Sequence, residues 1–144
     1  MNRLFFDTSA LVKRYYEEPG TETVDTLIQG ESTVVISSLA VVETVSAFRR
    51  KYNRDGISEL RMNRLLSAFF EEALAEFVIL PMDESAFQFS FSLVLEHNLR
   101  TLDSLQLSAA LTVDTEDKPV TFVSADTELV ATADANGLTT VNPD

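Results

Sequence analysis

The chain has 144 residues, no cysteine, an apolar fraction of 45% and a formal net charge of −12. With a mean hydropathy of +0.05, these values fit one folded domain over residues 1–144. They argue against disorder and exclude disulfides and thiolate metal sites, and no apolar run approaches the roughly 18 residues of a membrane span. The amino terminus does not read as a secretory signal. Asp7 interrupts the only early apolar stretch, and Lys13-Arg14 and Glu17-Glu18 follow. The expectation is a soluble cytoplasmic protein.

In chain order, Arg3 to Phe6 reads as a first strand and Ser9 to about Glu17 as a helix, ended by Pro19-Gly20. A short helix fits Glu22 to Ile28, ended by Gly30. Thr33 to Ile36 is a β-branched strand. Ser37 or Ser38 can cap a helix that runs through Glu43 to about Tyr52. Asp55-Gly56 breaks it, and Ser58 caps a long helix to about Ala75. Phe77 to Leu80 reads as a strand stopped by Pro81, and Asp83 caps a helix to about His97. Another helix runs from about Leu102 to Val113. Val120 to Ser124 is a strand, Thr127 to Asn136 a helix with Gly137 as its C-cap, and Leu138 to Val141 a last strand. Strand and helix alternate and the strands are short and apolar. That pattern predicts an α/β fold, a mostly parallel central sheet flanked by helices.

The charge is unevenly placed. Residues 1–64 hold nine Lys+Arg and nine Asp+Glu, whereas residues 65–144 hold two and fourteen, a balance of −12. An acidic surface repels a polyanion at long range, so nucleic-acid contact falls to the first part, where Arg49, Arg50, Lys51 and Arg54 cluster. The same cluster also fits a solvated helix end, where cations favour the dipole.

Four acids stand at the edges of apolar segments, each next to a small hydroxyl residue. They are Asp7 in LFFDTSAL, Glu43 in LAVVETVSAF, Asp103 in LRTLDSLQLSAAL and Asp126 in VTFVSADTEL. In an open parallel sheet the strand ends face one crevice, where ligands bind. Acids gathered there repel each other unless a hard cation neutralises them. The pattern points to a divalent-metal phosphodiesterase. Each acid also has a structural reading. Asp7, Asp103 and Asp126 could be helix N-caps, and Glu43 could point outward beside Arg50 two turns away. A lone buried Glu is costly unless it is paired or metal-bound. Glu128 is either a fifth acid or a helix-dipole carboxylate.

Other chemistries lack their residues. With one histidine, His97 at a helix end, and no cysteine, a zinc hydrolase or Cys–His nucleophile is not supported. The four glycines form no phosphate-binding loop. Phe87 and Phe91 share a helix face and Phe89 lies nearly opposite, which suggests a second buried surface such as a dimer contact.

The four acids in this order, on an alternating α/β chain of this length, resemble the PIN-domain ribonucleases, and within them the VapC-type toxins of toxin–antitoxin pairs. The likeness covers nearly the whole chain. LFFDTSALVKRYYEEPG is close to the family's first motif, VVETVSAFRRK to the second, LRTLDSLQLSAAL to the third, and VTFVSADTELVATADANGLTTVNP to the closing strand–helix–strand. The resemblance implies that Asp7, Glu43, Asp103 and Asp126 hold Mg²⁺ or Mn²⁺ and carry catalysis. It implies that Ser9 and Ser124 support the site. It further implies an RNA substrate cut to leave a 5′-phosphate and a 3′-hydroxyl, a small antitoxin partner with basic residues reaching the cleft, and a homodimer. Gln106 stands where many relatives have His, a position that is not a metal ligand. The acidic second part is also unusual for an RNA-binding surface.

Two other functions compete. One is a PIN-like binding module without chemistry, its acids serving as caps or ion pairs. The other is a phosphoacceptor domain of the receiver type, which needs an acidic pair after the first strand and a Lys ending a late strand. Here one acid follows Phe6, and Lys118-Pro119 precedes its strand.

Overall fold

A computed structural model describes residues 2–144. The strands are β1 (Arg3–Phe6), β2 (Thr33–Ser37), β3 (Val78–Leu80), β4 (Val120–Val123) and β5 (Thr139–Val141). They form one sheet in the order β3-β2-β1-β4-β5, and all the pairings are parallel. Around it pack α1 (Thr8–Leu11), α2 (Thr21–Gln29), α3 (Ser38–Arg54), α4 (Glu59–Glu76), α5 (Ser90–His97), α6 (Thr101–Val113) and α7 (Thr127–Ala135). This is the α/β architecture expected from the alternating pattern.

Alternate strand residues feed two cores, as the two-residue repeat of a strand requires. Leu4, Phe6, Val34 and Ile36 pack with Phe48, Met62, Leu65 and Phe69 on one face. Phe5, Val35 and Phe122 pack with Leu93, Leu107 and Leu129 on the other. Phe5 and Phe122 face each other from paired strands, with centroids 5.9 Å apart and planes 16° apart.

Three elements differ from the sequence reading. The helix expected over Ser9 to Glu17 is α1 followed by a 3₁₀ turn over Val12–Arg14. The single helix expected from Asp83 to His97 is a 3₁₀ turn, Glu84–Phe87, then α5. Ser90 Oγ there donates to the Phe87 carbonyl at 2.7 Å, and Ser108 Oγ on α6 accepts from the Phe89 amide at 3.0 Å. Side chains take up these backbone groups in place of the helical ladder. Phe77 is not in the strand but closes α4, where its amide donates to Ala73. The caps at Ser58 and Asp83 form as expected, accepting from Arg61 N and from Ser85 and Ala86 N.

The strand order places the site. The chain winds outward through β1, β2 and β3, then returns through α6 to β4 on the other side of β1. The reversal point therefore lies between β1 and β4, the position where an open sheet has its binding crevice. Asp7 follows β1 there and donates its amide to Val123 at the end of β4, at 2.9 Å. Asn98, at φ 55°, ends α5 with a left-handed turn and leads straight into α6. The Phe5–Phe122 contact holds this seam from below. Phe122→Ala should cost about 3–5 kcal/mol of unfolding free energy in urea denaturation.

Candidate active site

Asp7, Glu43, Asp103 and Asp126 all line one cleft of roughly 510 Å³, together with Thr8, Ser9, Leu39, Val42, Arg50 and Arg100. They arrive from four elements. Asp7 precedes α1, Glu43 is on α3, Asp103 is in the first turn of α6, and Asp126 precedes α7.

Asp7 is 5% exposed. It makes no side-chain cap bond to α1, so capping does not explain it. Ser9 Oγ donates to its Oδ2 at 2.6 Å and Ser124 Oγ to the same oxygen at 3.0 Å. These hydroxyls also accept from the loop beyond β4, Ser9 from Ala125 N at 3.0 Å and Ser124 from Asp126 N at 3.1 Å. The small hydroxyl residues beside the acids thus tie the ends of β1 and β4 together. Burial raises the Asp7 carboxyl above its ordinary value. The Ser9 and Ser124 bonds pull the other way, and nearby Glu43 adds to the rise.

Glu43 does not reach Arg50, whose Nη1 donates to Ser46 Oγ at 2.9 Å. Its Oε1 accepts from Gln106 Nε2 at 2.7 Å and from Thr8 Oγ1 at 3.0 Å. Gln106 is 1% exposed. Its Oε1 accepts from Ser37 Oγ at 2.9 Å, and Ser37 in turn caps α3 by accepting from Ala40 N at 3.1 Å. One buried amide therefore links β2, α3, α6 and the start of α1. The sequence reading did not assign Gln106 and Thr8 to this task. For Gln106 the available signal was a lone amide inside the largely apolar run LQLSAAL.

Asp103 makes no cap bond either, since the N-cap of α6 is Arg100. Arg100 Nη2 lies 3.4 Å from Asp103 Oδ2 and 3.7 Å from Asp126 Oδ2. Burial and the charges of Asp7 and Asp126 raise the Asp103 carboxyl, against a lowering from Arg100. For Asp126 the capping reading holds in part. Its Oδ1 accepts from Glu128 N at 3.0 Å and Leu129 N at 3.1 Å, while Oδ2 faces Arg100. Glu128 lines an adjoining recess with Asn98, Leu99, Arg100, Asp103, Asp126 and Thr127. Among the described residues, no three acids as they stand are close enough to hold one ion.

A carboxyl raised in the folded state adds stability only while protonated. For Asp7 that contribution is full below its ordinary value of 3.8 and is lost as pH rises through the higher folded value. Asp7→Asn should therefore raise the melting temperature of the metal-free protein at pH 7 by about 3 °C. The gain should shrink towards zero as pH falls into the ordinary carboxylate range. Calorimetric melting of both proteins from pH 4 to 8 checks it.

The model of the PIN domain family matches residues 4–135. No curated protein matches the sequence. Among solved structures, FitAcB from Neisseria gonorrhoeae is similar at 20% identity and a TM-score of 0.71, covering 97% of each chain. A toxin–antitoxin complex from Klebsiella pneumoniae is similar at 17% identity and a TM-score of 0.64, covering 98% of each chain. DNA-bound VapBC from Salmonella typhimurium is similar at 14% identity and a TM-score of 0.67, covering 100% of each chain. At these identities the solved structures speak for the fold, and the family rests on the matched model. With its β1–β4 crevice lined by acids, this chain belongs to the PIN domain family.

Proposed function

We propose that this protein is a VapC-type toxin, an endoribonuclease that hydrolyses RNA phosphodiester bonds with Mg²⁺ or Mn²⁺. In this reading residues 1–144 act as one cytoplasmic nuclease domain under the control of a small antitoxin. The observation that carries the reading is the convergence of Asp7, Glu43, Asp103 and Asp126 on the cleft at the sheet's reversal point. Toxin–antitoxin complexes among the structural relatives support the choice of partner.

The donor set fits a hard cation. Asp7 and Asp103 are raised by burial and by neighbouring carboxylates. The cleft lining includes no His, and oxygen donors of this kind suit Mg²⁺ or Mn²⁺. Asp7 and Asp103 would hold the principal ion. Glu43 and Asp126 would take a second ion or hold ordered waters, the carboxylates drawing in from their present positions. A bound ion of this kind polarises the phosphate and lowers the pKa of the attacking water. The protein's own part is to fix these oxygens. Ser9 and Ser124 hold Asp7, and Gln106 and Thr8 hold Glu43 by one oxygen. Arg50, at the rim, meets RNA phosphate. The water oxygen bonds to phosphorus as the bond to the 3′ oxygen breaks, which leaves a 5′-phosphate and a 3′-hydroxyl. No side-chain nucleophile is required.

The antitoxin reading draws on the walls of the same cleft. Val12, Leu39, Val42, Ala47 and Leu102 surround an acidic floor, and Val42 is 66% exposed. A peptide bearing a basic residue between apolar ones suits such a surface. A homodimer would use α5, where Phe91 is 77% and Leu95 84% exposed. For the location, no helix among the described residues is long and apolar enough to cross a membrane.

Purified protein should cleave a mixed RNA with Mn²⁺ or Mg²⁺. EDTA or Asp103→Asn should reduce the rate roughly 10²-fold or more. Cleavage that survives Asp103→Asn would point to a contaminating nuclease. No cleavage and no thermal shift with metal would favour an interaction module without chemistry. Gln106→Leu leaves Glu43 without its shortest donor, and its rate should fall about 10-fold or more while Phe122-centred packing and the far-ultraviolet CD spectrum stay unchanged.

A further inference from the structure

Arg100 breaks two local rules. It is the N-cap of α6 and makes no side-chain cap bond, although Ser, Thr, Asp and Asn are the residues that stabilise that position. Its positive charge also faces the positive end of the helix dipole. In addition, it is one of only two cations after residue 64, where fourteen acids lie. The other is Lys118, in the loop before β4. A residue placed against helix physics, and alone against so many acids, needs a reason outside the helix.

Its surroundings supply one. Arg100 lies within 3.4 Å of Asp103 and 3.7 Å of Asp126, and it lines both the acid cleft and the adjoining recess at Glu128. Its side chain is nonetheless 84% exposed, against 23% and 28% for the two carboxylates. Both separations exceed an ordinary hydrogen bond, and exposed pairs of this kind are weak and screened by salt. The guanidinium is a loosely held charge standing where a cation would meet Asp103.

We propose that Arg100 is an exchangeable counter-ion. It partly offsets the charges of Asp103 and Asp126 in the metal-free protein, is displaced when a divalent cation takes those oxygens, and then binds an RNA phosphate at the boundary between the two recesses. A divalent ion and a guanidinium on the same carboxylates repel each other, so binding of the ion frees the arm. Guanidinium geometry matches phosphate oxygens. The inference rests on the cation-dependent reading above and deepens it by giving the acidic part of the chain a cation for the polyanion.

The test is Arg100→Gln, with Arg100→Lys as the conservative variant. Mn²⁺ binding to each purified protein is read by titration calorimetry. Binding of a labelled single-stranded RNA in saturating Mn²⁺ is read by stopped-flow anisotropy before cleavage. Removing the competitor should tighten Mn²⁺ binding by roughly two- to fivefold. The same change should weaken RNA binding and make the slope of log K against log salt shallower by about 0.7, the loss of one phosphate contact to a single strand. Arg100→Lys should restore both towards wild type. Opposite signs for metal and RNA are the signature, since a merely structural role would move both the same way. Mn²⁺ affinity that is unchanged or weaker in Arg100→Gln overturns the proposal while leaving the cation reading intact. An unchanged RNA affinity and salt slope does the same. No Mn²⁺ binding by any of the proteins overturns both.

Discussion

A carboxylate only 5% exposed between two strand ends is costly in an apolar interior unless its oxygens are satisfied. Two hydroxyls, Ser9 and Ser124, donate to the same oxygen of Asp7. The same hydroxyls accept amides from residues 125 and 126. Satisfying one buried acid thereby fixes the turn after β1 and the turn after β4 against each other. Asp126 is carried into place by the second of those turns. α6 crosses to the same seam and brings Asp103 and Gln106. The geometry of the acidic cleft follows from how this one charge is accommodated.

The acids are held to different degrees. Asp7 and Glu43 are braced by neutral donors, the hydroxyls and an amide, which orient a carboxylate without cancelling its charge. Asp126 keeps one oxygen on the α7 amides, while its other oxygen and Asp103 are partnered by an exposed guanidinium at longer range. Three of the acids are thus oriented before any ligand arrives, and Asp103 stays the adjustable one. Preorganisation of part of a charged site reduces the reordering needed on binding.

Most of the fold was legible because it is written locally. The β-branched run Thr33 to Ile36, the serine caps at 37 and 58, and the Asp55-Gly56 break each carry their signal within a few residues. So did the acids, which stand out as polar residues at apolar edges. Their pairings were not legible. Ser124 meets Asp7 across 117 positions and Gln106 meets Glu43 across 63, because every parallel pairing needs a crossover and brings distant segments together. The capping role of Asp126 was one of two open readings, and only the cap geometry separated it from Asp7 and Asp103. The break before α5 was hidden because a local bond from Ser90 and a tertiary one to Ser108, rather than a Pro or Gly, interrupt the helix.

The strand order has a consequence for biosynthesis. Strands β1, β2 and β3, with α3 and its Glu43, are complete once residue 80 has been made. β4 joins on the opposite side of β1, so Ser124, which follows it, cannot reach Asp7 until residues 120–124 have left the ribosome and docked. Before that moment Asp7 lacks one of its two donors and Asp126 is not yet held beside it. A nascent chain can fold half its sheet without owning an assembled acidic cleft. The acidic cleft assembles late, after three of the five strands are in place.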